Sequence, residues 1–122
     1  MKEDLFSILI NLEIDGESMK DKVYLQGTID IEEEYPKTFI TFFTSNTQDR
    51  SFYDDKLVTE DWEFSVILYS DDPFIVEEGR TVIVNALKRH GFLPQGKGHD
   101  IPSDIPEVTG WAMDFIATEH IH

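Results

Sequence analysis

The chain of 122 residues has no cysteine, which excludes disulfides and thiolate metal sites and fits a reducing compartment. It has no long apolar run, and a membrane-crossing helix needs roughly 20 such residues. Met1-Lys2-Glu3-Asp4 is not a basic segment leading into an apolar one, so no signal peptide is expected, and the protein is expected to be soluble and made inside a cell. Basic residues are scarce. Ten Lys and Arg stand against twenty-five Asp and Glu, a net charge of −15, spread as −9 over residues 1–61 and −6 over 62–122 rather than gathered in a tail. Such a surface repels phosphate backbones and anionic lipids, which argues against specific nucleic-acid binding and against a membrane, and favours neutral or basic partners. Plain solubility accounts for the same charge equally well.

Hydrophobic residues make up 40% of the chain and include nine Phe, four Tyr and two Trp, enough for one core and above the composition of a disordered chain. With no break in composition, residues 1–122 are expected to form a single domain that buries roughly two-thirds of its unfolded surface. Leu5, Ile8, Leu9 and Leu12 recur at helical spacing after Asp4 and predict a short N-terminal helix ending before Gly16. Residues 23–31 read as a weak strand, and Glu32-Glu33-Glu34 before Tyr35-Pro36 as a solvated connection. Thr38 to Thr44 is rich in β-branched and aromatic residues and predicts a strand ended by the polar Ser45-Asn46-Thr47-Gln48-Asp49, with a second strand starting near Arg50. In 61–70, Trp62, Phe64, Val66 and Leu68 alternate with Glu63, Ser65, Ile67 and Tyr69, the pattern of a central strand.

The best-marked element is a longer helix over about 73–90. Asp72 stands at the cap position, Pro73 at the first helical position, Glu77 and Glu78 early, Lys88, Arg89 and His90 late, and Gly91 past the end. Its buried stripe is expected to be Ile75, Gly79, Val82, Ile83, Ala86 and Leu87, with a strand crossing under Gly79, because glycine there otherwise costs about 1 kcal/mol against alanine. Residues 93–107, with Pro94, Gly96, Gly98, Pro102 and Pro106, read as a long loop without regular structure. The last strand, about 109–119, sends Trp111, Met113, Phe115 and Ala117 to one side. The order α-β-β-β-β-α-β predicts an α+β fold, one antiparallel or mixed sheet of four to five strands packed by two helices.

Carboxylate pairs at Asp54-Asp55, Glu60-Asp61, Asp71-Asp72 and Glu77-Glu78 have the oxygens for Mg²⁺ or for acid–base chemistry. Such pairs are expected in a chain this acidic, and Asp71-Asp72 is accounted for as the start of the helix. His120 and His122 share a face if the last strand reaches them, and His99 sits in the long loop, but no HExxH, His-x-Glu or CxxC accompanies them. There is no Gly-x-Ser-x-Gly elbow and no serine near a histidine in sequence, which leaves open a triad assembled by folding. Gln95-Gly96-Lys97-Gly98-His99 lacks the spacing and the Ser/Thr of a phosphate loop. No catalytic residue, metal ligand or cofactor is assigned, and the chain is not expected to be an enzyme.

Several pieces form a series: Thr38-Phe39-Ile40-Thr41-Phe42-Phe43, Ser51-Phe52-Tyr53-Asp54-Asp55, Trp62 through Tyr69-Ser70-Asp71-Asp72-Pro73, and Ala86-Leu87-Lys88 with Gly91-Phe92. It closes with Gly96-Lys97-Gly98-His99-Asp100-Ile101-Pro102-Ser103-Asp104 and Thr109-Gly110-Trp111-Ala112-Met113. The series resembles a family of small tail-component proteins encoded in the structural gene clusters of siphophages and prophages of Gram-positive bacteria. The resemblance spans about residues 35–118 and lies in the combination of pieces. That family is similar to tail-completion proteins, the tail terminators and head–tail joining proteins, in which a sheet flanked by helices forms rings, commonly hexamers, that cap the tail tube and join it to the head. It implies a structural virion assembly protein without catalysis or cofactor, whose partners are copies of itself, the tail tube protein and the head–tail connector protein. It also implies a place first in the host cytoplasm and then in the virion.

Within that reading, the candidate assembly interface is the 93–107 segment, with Lys97, His99 and Asp100, together with the hairpin around Phe52, Tyr53, Asp54 and Asp55; core packing accounts for Phe52 equally well. A ring that conducts double-stranded DNA works best without a phosphate-binding lining. Part of the acidity is therefore expected to face a lumen, with Glu32, Glu33 and Glu34, or Asp54 and Asp55, as candidates. Two other functions fit the composition: an acidic module that mimics DNA charge and blocks a nucleic-acid enzyme, and a metal-dependent hydrolase using the carboxylate pairs.

Overall fold

The computed structural model describes residues 2–25, 37–53, 56–101 and 108–120, without the side chains of 2, 45–53, 56–60 and 119–120. Helix α1 (Lys2–Ile10) leads into a hairpin of β1 (Glu13–Ile14) and β2 (Glu17–Ser18). Then come β3 (Val23–Leu25), β4 (Thr38–Tyr53), β5 (Lys56–Ser70), α2 (Pro73–Arg89), β6 (Leu93–Ile101) and β7 (Thr109–His120). Strands β3 to β7 form one five-stranded sheet in the order β3-β4-β5-β7-β6. β3 runs parallel to β4 and the other neighbours pair antiparallel, so the sheet is mixed and the fold is α+β, with β5 in the centre.

The two-residue alternation of each strand divides its side chains between the two faces of the sheet. Ile40 and Phe42 of β4, Phe64, Val66 and Leu68 of β5, and Trp111, Met113 and Phe115 of β7 share one buried cluster with Leu5 and Leu9 of α1 and Ile83, Ala86 and Leu87 of α2. Burying a side chain of this size stabilises by roughly 2 kcal/mol, so this layer is what fixes the helices on the sheet. The opposite face carries a smaller cluster of Phe39, Ile67, Tyr69 and Ala112, in which the Phe39 and Tyr69 rings stack with centroids 5.1 Å apart. That second cluster is why β5 becomes apolar on both faces toward its end.

Helix α2 begins and ends where its local residues dictate. The Asp72 carboxylate accepts the Phe74 N–H at 2.9 Å, with Pro73 in the first turn, where no N–H is missed. At the other end the Phe92 N–H donates to the Leu87 carbonyl and the Gly91 N–H to that of Lys88, at 2.9 and 3.2 Å, and Phe92 is buried beneath the turn. The buried stripe sits slightly to one side of the expected one: Val76 is buried, and Ile75 and Val82 are half-buried at its margin. Gly79 does lie under crossing chain, because a Cβ there would come within 2.5 Å of Leu68 Cδ2 on β5 and 3.3 Å of Ile14 on β1.

Three expectations are corrected. The first helix ends before Gly16 as expected, but already at Ile10, so Leu12 is buried from outside the helix and not on its stripe; Asp15 and Gly16, at positive φ of 55° and 76°, form the two-residue turn of the β1–β2 hairpin. β4 does not end at Ser45–Asp49 but runs to Tyr53 along β5, with a register shift between Thr44 and Asn46; ladder hydrogen bonds are made by the backbone and do not require apolar side chains. Residues 93–101 are not a loop but the edge strand β6. Pro94 is tolerated there because an edge strand can spare an N–H, and the glycines serve a bulge. Of the weak strand at 23–31, only Val23–Leu25 lies among the described residues, as β3. Among those residues no helix is long and apolar enough to cross a membrane.

Candidate functional site

The bulge in β6 shapes the most elaborate site of the described chain. Gln95 pairs with Asp114 and His99 with Ala112, so Gly96, Lys97 and Gly98 together oppose the single residue Met113. Gly96 and Gly98 reach this shape at φ of 84° and 77°, in the left-handed region. Gly98 also has no room for a side chain, since a Cβ would fall 2.6 Å from both the Ala112 carbonyl oxygen and Trp111 Nε1. The bulge leaves a groove of about 290 Å³ between β6 and α2, floored by Trp111 and Met113 of β7.

Positive charge converges on this groove. Arg80 and Lys88 reach it from α2 and Lys97 from the bulge, three of the ten basic residues in a chain of net charge −15. The Arg80 guanidinium carbon stands 5.8 Å from the centre of the Trp111 ring, a cation–π arrangement, and its Nη1 lies 3.6 Å from Glu77 Oε1. Lys88 and Lys97 are exposed and make no ion pair among the described residues. Trp111 is 2% exposed, and its indole N–H, which lies against Gly98, has no acceptor among the described residues. Three cationic side chains, of which only Arg80 has a carboxylate partner among the described residues, make a groove suited to a carboxylate.

The residues named from sequence do not meet in one place. Lys97 enters the groove. His99, on the same strand opposite Ala112, is exposed, and Asp100 lines a separate hollow with Pro73 and Glu77 at the start of α2. Tyr53 pairs with Lys56 at the far end of the β4–β5 ladder, eleven residues along β5 from the Ile67 level of His99. At about 3.3 Å per residue this is roughly 35 Å, so the two halves of the expected interface are well apart on one subunit. The side chains of Phe52 and Tyr53, all of Asp54 and Asp55, and the candidate lumen residues Glu32, Glu33 and Glu34 lie outside the described residues.

Other chemistry-bearing groups are dispersed or engaged. Asp72 is the α2 cap, and Asp61 and Asp114, on the sheet face away from the helices, accept hydrogen bonds from Thr118 and Ser65 at 2.7 and 2.5 Å. Among the described residues no three His, Asp or Glu side chains gather to hold a metal ion. Asp4, Ser7 and His90 do border one hollow, but no hydrogen bond joins Ser7 to His90, the contact a serine nucleophile needs with its base. The groove itself was not foreseen, because Arg80, Lys88, Lys97 and Trp111 become neighbours only when β6 closes against β7. Compared with known proteins, the sequence matches no family model and no curated protein.

Proposed function

We propose that the chain is a structural subunit that assembles with copies of itself, of the kind that terminates a phage or prophage tail or joins it to the head. The observation that carries the reading of self-assembly is a basic groove beside β6, the edge strand among the described residues, on an otherwise strongly acidic chain. The more specific reading, with the tail tube protein and the head–tail connector protein as partners and the virion as destination, rests on the resemblance over about residues 35–118. Its described residues fall mainly on β4, β5, α2, β6 and β7, elements that build the sheet and the groove. In such a ring part of the −15 charge faces the DNA path, where phosphate finds nothing to hold it.

A DNA mimic draws less support, because Asp61 and Asp114, on the sheet face away from the helices, are tied to Thr118 and Ser65. A metal-dependent hydrolase draws none from the described carboxylates. Native mass spectrometry over a concentration series tests the proposal: closed oligomers are expected, and a chain that stays monomeric at every concentration and ignores the purified tail tube would overturn it.

A further inference from the structure

We infer that the groove between α2 and β6 is the receiving half of the contact between copies, and that it takes the acidic β1–β2 hairpin of the next copy. The inference rests on the self-assembly proposed above and adds to it which surfaces meet.

Three observations on the molecule lead there. The first is chemical: Arg80, Lys88 and Lys97 bring positive charge to one groove, and Lys88 and Lys97 are without ion-pair partners among the described residues. The ligand is therefore a negatively charged hydrogen-bond acceptor, and carboxylates are what this chain has in excess. The second is shape. The β1–β2 hairpin is narrow, turns on two residues, and exposes Glu13 and Asp15 on its strand and at its tip. Its third carboxylate, Glu17, is held by Lys22 at 3.0 Å, whereas Glu13 and Asp15 have no ion pair among the described residues. The third is placement. The hairpin packs on α2 through Ile14 at Gly79, while the groove runs along Arg80, Val84 and Lys88, so the helix stands between them. A hairpin and a groove on opposite flanks of one helix cannot satisfy each other within a chain, but they can between chains. Contact between two different patches is heterologous, and repeated with a closing rotation it makes a ring.

The overall charge sets a condition on this contact. Chains of −15 repel one another at long range, but at roughly 150 mM salt the Debye length is about 8 Å, which screens that repulsion and spares pairs in direct contact.

The test compares the assembly of four full-length proteins at that salt: wild type, Lys88→Glu/Lys97→Glu, Glu13→Lys/Asp15→Asn, and the combination of both pairs. The substituted residues are exposed, asparagine keeps the left-handed backbone at Asp15 as readily as aspartate does, and thermal unfolding of each variant confirms that it folds. Each pair alone is expected to weaken assembly roughly tenfold or more, and the combination to recover much of the loss by restoring opposite charges across the contact. General repulsion predicts the reverse for the hairpin pair, which lowers the net charge from −15 to −12. If wild type assembles and the groove pair assembles equally well, the groove is not the receptor. If only the groove pair fails, the hairpin is not the occupant. Either result overturns this inference and leaves self-assembly standing, whereas a monomeric wild type overturns self-assembly itself.

Discussion

The two flanks of helix α2 are built from the same helix yet finished in opposite ways. On one flank Ile14 and Leu68 close on Gly79 so tightly that a Cβ would have to displace Leu68 Cδ2, and the nearest atoms are side-chain carbons. On the other flank Arg80, Lys88 and Lys97 stand round an open groove floored by Trp111 and Met113. Each flank also has one glycine at which a Cβ would collide, but the obstacles differ. At Gly79 they are side-chain methyl groups; at Gly98 they are a backbone carbonyl and a rigid indole, met from a left-handed backbone. The closed flank holds the fold together, and the open flank is the one proposed to receive a partner.

Substitutions can break or sharpen this contrast, and the largest effect is expected on the closed flank. Ile14→Ala removes a side chain only 1% exposed and should cost about 3 kcal/mol in urea unfolding. Next comes Gly98→Ala, where the strained backbone and the collision with the Ala112 carbonyl should together cost about 2 kcal/mol. Gly79→Ala should stay within about 1 kcal/mol of wild type, because the gain in helix propensity offsets the displacement of Leu68 Cδ2. A larger loss at Gly79 than at Gly98 would mean that the closed flank, not the bulge, is the more rigid. The smallest stability effect is expected at Lys97→Glu, within about 0.5 kcal/mol, since the side chain is exposed and unpaired among the described residues. The same change is expected to weaken assembly, and that separation of stability from assembly is what marks the open flank.

What could be read from the sequence follows from how local each signal is. The limits of α2 were legible because Asp72, Pro73 and Gly91 act within a turn of where they stand, and its glycine announced a close approach because nothing else justifies the cost at Gly79. The part of β5 over residues 61–70, and β7, were legible from alternation alone. β6 was not, because Pro94, Gly96 and Gly98 carry the marks of a loop, and only pairing with β7 makes an edge strand of them. The polar end of β4 was hidden for a related reason, since the ladder to β5 continues on backbone groups that composition does not reveal. The β1–β2 turn was present in the sequence as Asp15-Gly16 but was overshadowed by the helical spacing of Leu5, Leu9 and Leu12, of which the last lies beyond the helix end. Of the groove, only Lys97 was singled out, because the spacing of Arg80, Lys88 and Trp111 along the chain carries no sign that they meet.

The central claim, that copies associate by placing an acidic hairpin in a basic groove, is met most directly by the light-scattering mass of Glu13→Lys/Asp15→Asn beside wild type at equal concentration and roughly 150 mM salt. Wild type is expected at a multiple of 14.1 kDa and the variant at 14.1 kDa, despite its smaller net charge. A variant as large as wild type, or larger, would contradict the claim.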